Sequence, residues 1–136
     1  MIAICVVHPE QLQAMSYLVS ATLILVAITH LLPVVGVAGS AQLARLYRVD
    51  TSDPNLRILM QHGAVLFALV GGFMIHAAFN PRFQFAAFTV GFISVLSFIL
   101  IALGVGAYSA RLARVIRADL LALVLLVIGV GALLLS

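Results

Sequence analysis

Charge is scarce in this chain, and lysine is absent altogether. Of 136 residues, 8% are charged and 65% are hydrophobic, where a soluble domain carries about 25% charge. A water-soluble fold of this composition would leave most of its apolar surface facing water, so the chain is a membrane protein. At this length it is a single domain, residues 1–136. The single cysteine, Cys5, excludes an internal disulfide. Carboxylates are few: Glu10, Asp50, Asp53 and Asp119 fall outside the apolar runs or at their edges. That excludes a paired-carboxylate site. Without lysine there is no phosphate-binding loop, and no serine has a base beside it. No catalytic constellation is present.

What is there is apolar sequence in long runs. A helix needs roughly 20 apolar residues to cross ~30 Å of hydrocarbon. Residues 16–37 form a charge-free run of 22, interrupted by His30 and Pro33, and residues 58–79 form another 22 containing His62 and His76. Residues 83–110 add 28 uncharged positions and residues 120–136 add 17. The expected fold is all-α, an integral membrane four-helix bundle with spans at 16–37, 56–79, 83–107 and 115–136. Asp53-Pro54 and Asn80-Pro81 each offer an N-cap followed by proline at the first helical position. Ser109 offers an N-cap for the fourth helix. Between spans one and two, Leu43, Leu46 and Tyr47 fall at helical spacing with Arg45 and Arg48 among them. That pattern predicts a short interfacial helix over 41–49. Gly39-Ser40-Ala41 resembles a signal-peptidase site, but no basic residue precedes the run, which is also too long for a signal core. The expectation is an uncleaved first span, although Met15 is a second candidate for the start of the chain.

Residues 40–50 read SAQLARLYRVD and residues 109–119 read SARLARVIRAD, identical at seven of eleven positions. Four crossings put both phrases on one side of the membrane. The seven arginines then divide six to one: Arg45, Arg48, Arg57, Arg111, Arg114 and Arg117 against Arg82. Cytoplasmic connections collect basic residues, so the sequence predicts an inner (plasma) membrane protein with both termini outside the cytoplasm. An internal duplication is a second reading of the repeated phrase. A third is a cradle in which Arg45, Arg48, Arg111, Arg114 and Arg117 contact anionic lipid or phosphate, each guanidinium donating two parallel hydrogen bonds. Membrane lipids, not nucleic acid, are the expected partners of this charge.

Ionisable side chains inside spans are a default place to look for function. His30 lies about 10 Å and His62 about 6 Å from the cytoplasmic ends of their spans, by the rise of a helix, so the two could meet across a helix pair. Pro33 cannot donate to the carbonyl of Thr29, which leaves an acceptor beside His30. A pocket at His30 and His62, with Thr29 and Gln61 as further lining, is the candidate cofactor-binding site, for haem or quinone. The competing reading is that neutral histidines hydrogen-bond to neighbouring helices and stabilise packing. His62 and His76 are 14 residues apart, a spacing that resembles that of cytochromes with stacked haems. Spans three and four, however, hold no histidine to complete an axial pair. No acidic or thiol ligand accompanies His30 and His62 at depth, so no metal site is expected. Small residues at Ala64, Ala68 and Gly72, and at Ala87 and Gly91, recur every fourth position and predict helix contacts, either within the chain or between copies.

His30-Leu-Leu-Pro33, Asp53-Pro-Asn-Leu-Arg-Ile-Leu-Met-Gln-His62 and Ala64-Val-Leu-Phe together resemble a group of small bacterial four-span membrane proteins. More distantly the layout is similar to the DoxX-like superfamily of four-helix membrane proteins. The likeness covers residues 15–136 and implies a four-helix membrane fold. The group usually has arginine after the Gln-His pair, where this chain has Gly63. Proteins of this kind are sometimes named phosphopantetheine adenylyltransferase, a soluble α/β nucleotidyl transferase with a Thr-x-Gly-His motif; this chain has neither the motif nor room for the sheet. The leading functional expectation is a non-enzymatic accessory or assembly partner, working as a homo-oligomer or with another membrane protein and needing no cofactor. The alternative is a redox protein using the His30/His62 pocket. A solute permease ranks last, because spans three and four offer only Thr89, Ser94 and Ser97 as polar lining.

Overall fold

The structure is a computed structural model and describes residues 8–34 and 52–136, together with Gly39, Ala41 and Arg45. Among the described residues there are four long helices and no strand: α1 (Pro9–Leu31), α2 (Pro54–Ala78), α3 (Pro81–Val105) and α4 (Ala110–Leu135). All four are long and apolar enough to cross a membrane, with α1 extended to Val34 by a tightened last turn. The interfacial helix expected over 41–49 lies outside the described residues, apart from Ala41 and Arg45, both helical. Arg48, Asp50 and Cys5 also lie outside them.

The starts of the helices follow from local chemistry. Asp53 caps α2 by accepting from the Asn55 amide at 2.9 Å, with Pro54 at the first helical position. Ser109 caps α4 by accepting from the Leu112 amide. Asn80 behaves differently from expectation. It precedes α3 and Pro81, but its side chain makes no cap hydrogen bond there. Its Nδ2 instead donates backward to the His76 carbonyl at 2.8 Å, closing the end of α2. The α2–α3 turn is so short that one residue serves both helices, and the orphan carbonyl of α2 lies nearer. The first helix begins at Pro9 rather than near Ser16, since proline at the first position and Glu10 in the first turn suit a helix start. At its far end Pro33 withholds an amide, and Leu32–Val34 wind into a 3₁₀ turn. α3 ends at Gly106, whose φ of 74° closes the helix in a conformation that a side chain would strain.

Each helix packs antiparallel to the next along the chain, and α1 also packs on α4; α1 and α3 face each other across the diagonal. The register is set by small groups. The Ser20 hydroxyl donates to the Ala78 carbonyl at 2.6 Å. A Cβ added to Gly71 would lie 2.9 Å from Leu31 Cγ and 3.1 Å from the Ala27 carbonyl oxygen. One added to Gly91 would lie 2.6 Å from Met74 Cε, and one added to Gly129 would lie 2.6 Å from Phe88 Cζ and would overlap the Thr22 hydroxyl. Ala64, Ala87 and Gly91 are buried as expected of contact residues. Gly72 is exposed and touches nothing, and Gly71 takes the place against α1. The reason is angular: a step of four residues turns ~400°, so a four-residue stripe drifts ~40° per step, while Ala64, Gly71 and Ala78 at steps of seven stay within ~20° of one line.

The core is apolar and narrow, built on Leu23, Val26, Met74, Phe88, Val95 and Leu126. The outward faces are equally apolar, with Leu25, Leu69, Leu100 and Val127 each about half exposed or more. Lipid, not water, is the medium in which such a surface is at rest.

Candidate functional site

His30 is the one buried histidine among the described residues, 3% exposed near the end of α1. Its Nδ1 lies 3.0 Å from the Val26 carbonyl oxygen. A carbonyl can only accept, so Nδ1 carries the proton in the neutral ring. Nε2 is then an acceptor, and the Ser94 hydroxyl on α3, 3.0 Å away, donates to it. The Thr29 hydroxyl donates to the Val26 carbonyl at 2.7 Å and sits 3.5 Å from His30 Nδ1. Phe67 on α2 covers the ring, with centroids 5.7 Å apart. Both ring nitrogens are therefore engaged within the bundle.

Around this ring the four helices leave a cavity of about 40 Å³, walled by Thr29, His30 and Pro33, by Phe67, by Ser94 and Phe98, and by Val115 and Asp119. That volume has room for one or two waters, whereas pockets for cofactor-sized ligands run to roughly 300 Å³ or more. The α2 wall is Phe67. His62, five residues earlier, lies ~140° around the same helix and is exposed. Gln61 lies next to it, outside the cavity wall. His62 thus lies on another face, and ~7.5 Å nearer the start of α2 than the Phe67 that packs on His30. The reading that buried histidine is held by hydrogen bonds to neighbouring helices describes His30 as found.

Two members of the cavity, Ser94 and Asp119, lie outside the pocket that the sequence predicts. Asp119 is half-buried, ~14 Å along α4 from its start, and faces the same cavity as His30. Its signal was the spacing: Arg111, Val115 and Asp119 recur every fourth residue and therefore run along neighbouring positions of one helix face.

The other histidines lie elsewhere. His8 is the exposed residue before α1. His76 is exposed and its ring lies 5.3 Å from that of Phe83. Among the described residues no three His, Cys, Asp or Glu side chains come together in a way that could hold a metal ion. No buried side-chain nitrogen or oxygen among them lacks a hydrogen-bond partner.

The basic residues gather at one end. Arg57 stands in the first turn of α2, and Arg111, Arg114 and Arg117 stand in the first turns of α4, which starts at the same end of the bundle. Arg82 opens α3 at the other. Arg114 and Arg117 are exposed, and Arg117 Nε donates to the Ala113 carbonyl at 3.3 Å. α4 has 26 residues, ~39 Å of helix against ~30 Å of hydrocarbon, so its first turns have length to spare for the headgroup layer. Arg111 stands within the first turn of α4, where the helix dipole opposes a cation. No family model matches the chain, and neither a curated protein nor a solved structure matches it.

Proposed function

We propose that the chain is a multi-pass protein of a bacterial inner membrane, with both termini outside the cytoplasm, acting as a non-enzymatic accessory or assembly partner that oligomerises or binds another membrane protein. Its kinship with the small four-span, DoxX-like proteins belongs to the same proposal. The observation that carries it is the contrast between a well-filled interior and an unpartnered exterior. Buried polar groups are satisfied among the described residues, and the cavity has room for no more than a water or two. The outer face of α2, by contrast, presents Gly72, a bare stretch of backbone with nothing within 4 Å of its missing side chain. Beside it stand the exposed Leu69 and Ile75. Glycine among larger apolar residues lets a second transmembrane helix approach closely. In this proposal anionic headgroups are the counter-charge of Arg111, Arg114 and Arg117, as the sequence alone also expects for Arg45 and Arg48, and that pairing fixes the orientation.

A haem or quinone at His30 and His62 receives less support, since the two residues occupy different faces and both His30 nitrogens are engaged. The test is extraction in a mild detergent, followed by light scattering, native mass spectrometry and an absorption spectrum. Several copies of the 14.4 kDa chain, or a co-purifying membrane protein, with association weakened by Gly72→Leu, support the proposal. A chain that stays single and partner-free in native-lipid discs contradicts it, as does a visible absorption band.

A further inference from the structure

We propose that the cavity bounded by Thr29, His30, Ser94 and Asp119 is a binding site for a single proton, carried between the Asp119 carboxyl and the His30 ring by one cavity water and the Ser94 hydroxyl. The inference rests on the membrane-embedded bundle and not on any partner the bundle has.

The direction of each hydrogen bond makes the argument. His30 Nδ1 holds its proton against the Val26 carbonyl, which leaves Nε2 as the open basic atom, and Ser94 donates to it. The Thr29 proton is committed to the Val26 carbonyl. The protons of both hydroxyls therefore point away from the cavity, and what Ser94 and Thr29 present to it is lone pairs. The rest of the polar lining is Asp119. A cavity walled by acceptors and sized for a water accommodates a donor: a water, and with it a proton on the carboxyl. Asp119 is also the one Asp or Glu among the described residues that faces this cavity.

The transfer balances without any co-reactant. Protonated Asp119 gives its proton to the water, and the water passes one of its own to Ser94 Oγ. Ser94 releases the proton it had been donating to His30 Nε2. The carboxyl becomes a carboxylate, the ring becomes an imidazolium, and the hydroxyl and the water are restored. The reverse shift returns the proton. Through this chain two groups on α1 and α4 are linked by a residue on α3, with Phe67 of α2 closing the fourth side.

Other titratable groups around the cavity are few. α1 contributes only His30. α2 presents Phe67, its His62 being exposed on another face. α3 presents Ser94 and Phe98. On α4, Arg111 lies two steps of four from Asp119, ~12 Å along the helix, and Arg117 is exposed with its Nε on the Ala113 carbonyl.

The experiment is a pH titration of ¹⁵N-histidine-labelled protein in phosphatidylethanolamine/phosphatidylglycerol nanodiscs, read by ¹⁵N NMR, with the carboxylic-acid C=O stretch followed by infrared spectroscopy. In the wild type, His30 is expected as the Nδ1–H tautomer at alkaline pH and as a doubly protonated ring after acidification. Asp119→Asn is expected to abolish one carboxylic-acid band and to raise about tenfold the proton concentration needed to protonate His30, a coupling typical of interacting sites. The exposed His62 and His76 serve as internal controls and should not respond. Asp119→Glu should restore the wild-type curve in large part. Ser94→Ala keeps both titratable groups and the Val26 carbonyl, so the Nδ1–H tautomer should persist while the coupling is lost. An unchanged His30 curve in Asp119→Asn overturns the proposal, and so does an Nε2–H tautomer in the wild type. Loss of the fold in Asp119→Asn leaves Ser94→Ala to decide, an unaltered His30 titration curve there being the contradicting result. Neither outcome bears on oligomeric mass, so failure here is separable from failure of the assembly proposal.

Discussion

His30 Nε2 and Ser94 Oγ stand 3.0 Å apart, joining two helices that lie across the diagonal of the bundle. α1 and α3 hardly meet elsewhere, so this bond reports on how the interior is filled rather than on any helix pair. Replacing Ser94 with alanine strands the Nε2 acceptor, and the expected loss is about 1 kcal/mol. Chemical or thermal unfolding in a mild detergent measures it. In a double-mutant cycle with His30→Leu, the combined variant should be less destabilised than the sum of the two, because the pair is then removed together. Strict additivity would mean that the bond contributes nothing.

Glycine substitutions should sort by face. Gly129→Ala drives a methyl group into Phe88 and the Thr22 hydroxyl, and Gly91→Ala drives one into Met74. Overpacking of this kind costs about 1–3 kcal/mol. Gly63→Ala and Gly131→Ala meet open space and should be neutral or stabilising by up to about 1 kcal/mol, through helix propensity. Melting temperatures of the four variants, measured side by side, check the order. Equal effects at Gly129 and Gly63 would refute the packing described.

The α3–α4 turn has a conformational requirement of its own. Gly106 sits at φ 74°, so Gly106→Ala should destabilise by about 1 kcal/mol. Ser109→Ala removes the cap on Leu112 and should cost about the same. Proteolysis at the turn, compared between wild type and variants, is the simplest readout; unchanged cleavage would contradict the assignment.

His62 separates the two readings of the histidines. Exposed on the far side of α2 from the cavity, it should tolerate leucine with no change in stability or in the His30 NMR signals. A His30 resonance that moves in His62→Leu would restore the pair that the sequence suggested.

The number of helices, their order and most of their starts could be read from residues alone, because those features rest on local rules: run length, Asp53-Pro54, Asn80-Pro81 and Ser109. The start of α1 could have been read too. Pro9 followed by Glu10 is a helix opening, and a search for charge-free runs passes over it because Glu10 is charged. What the sequence hid is rotation about each helix axis. In water an amphipathic stripe marks the buried face; here the lipid face and the core face are both apolar, so nothing in the pattern orients α2 or α3. Distance along the helices alone therefore pairs His62 with His30, and a four-residue stripe points to Gly72 where Gly71 makes the contact. Ser94 and Asp119 escaped for the same reason, since their meeting with His30 depends on four rotations at once.

The account depends most on four antiparallel crossings, and a labelling experiment tests that directly. In a Cys5→Ser background, single cysteines at Ser52, Phe79 and Ala107 are exposed to a membrane-impermeant maleimide applied to sealed vesicles of known orientation. All three positions are solvent-exposed and lie at or beyond helix ends. Ser52→Cys and Ala107→Cys should react from one side and Phe79→Cys from the other. Reaction of Ser52→Cys and Ala107→Cys from opposite sides, or of all three from the same side, would contradict the four-crossing bundle.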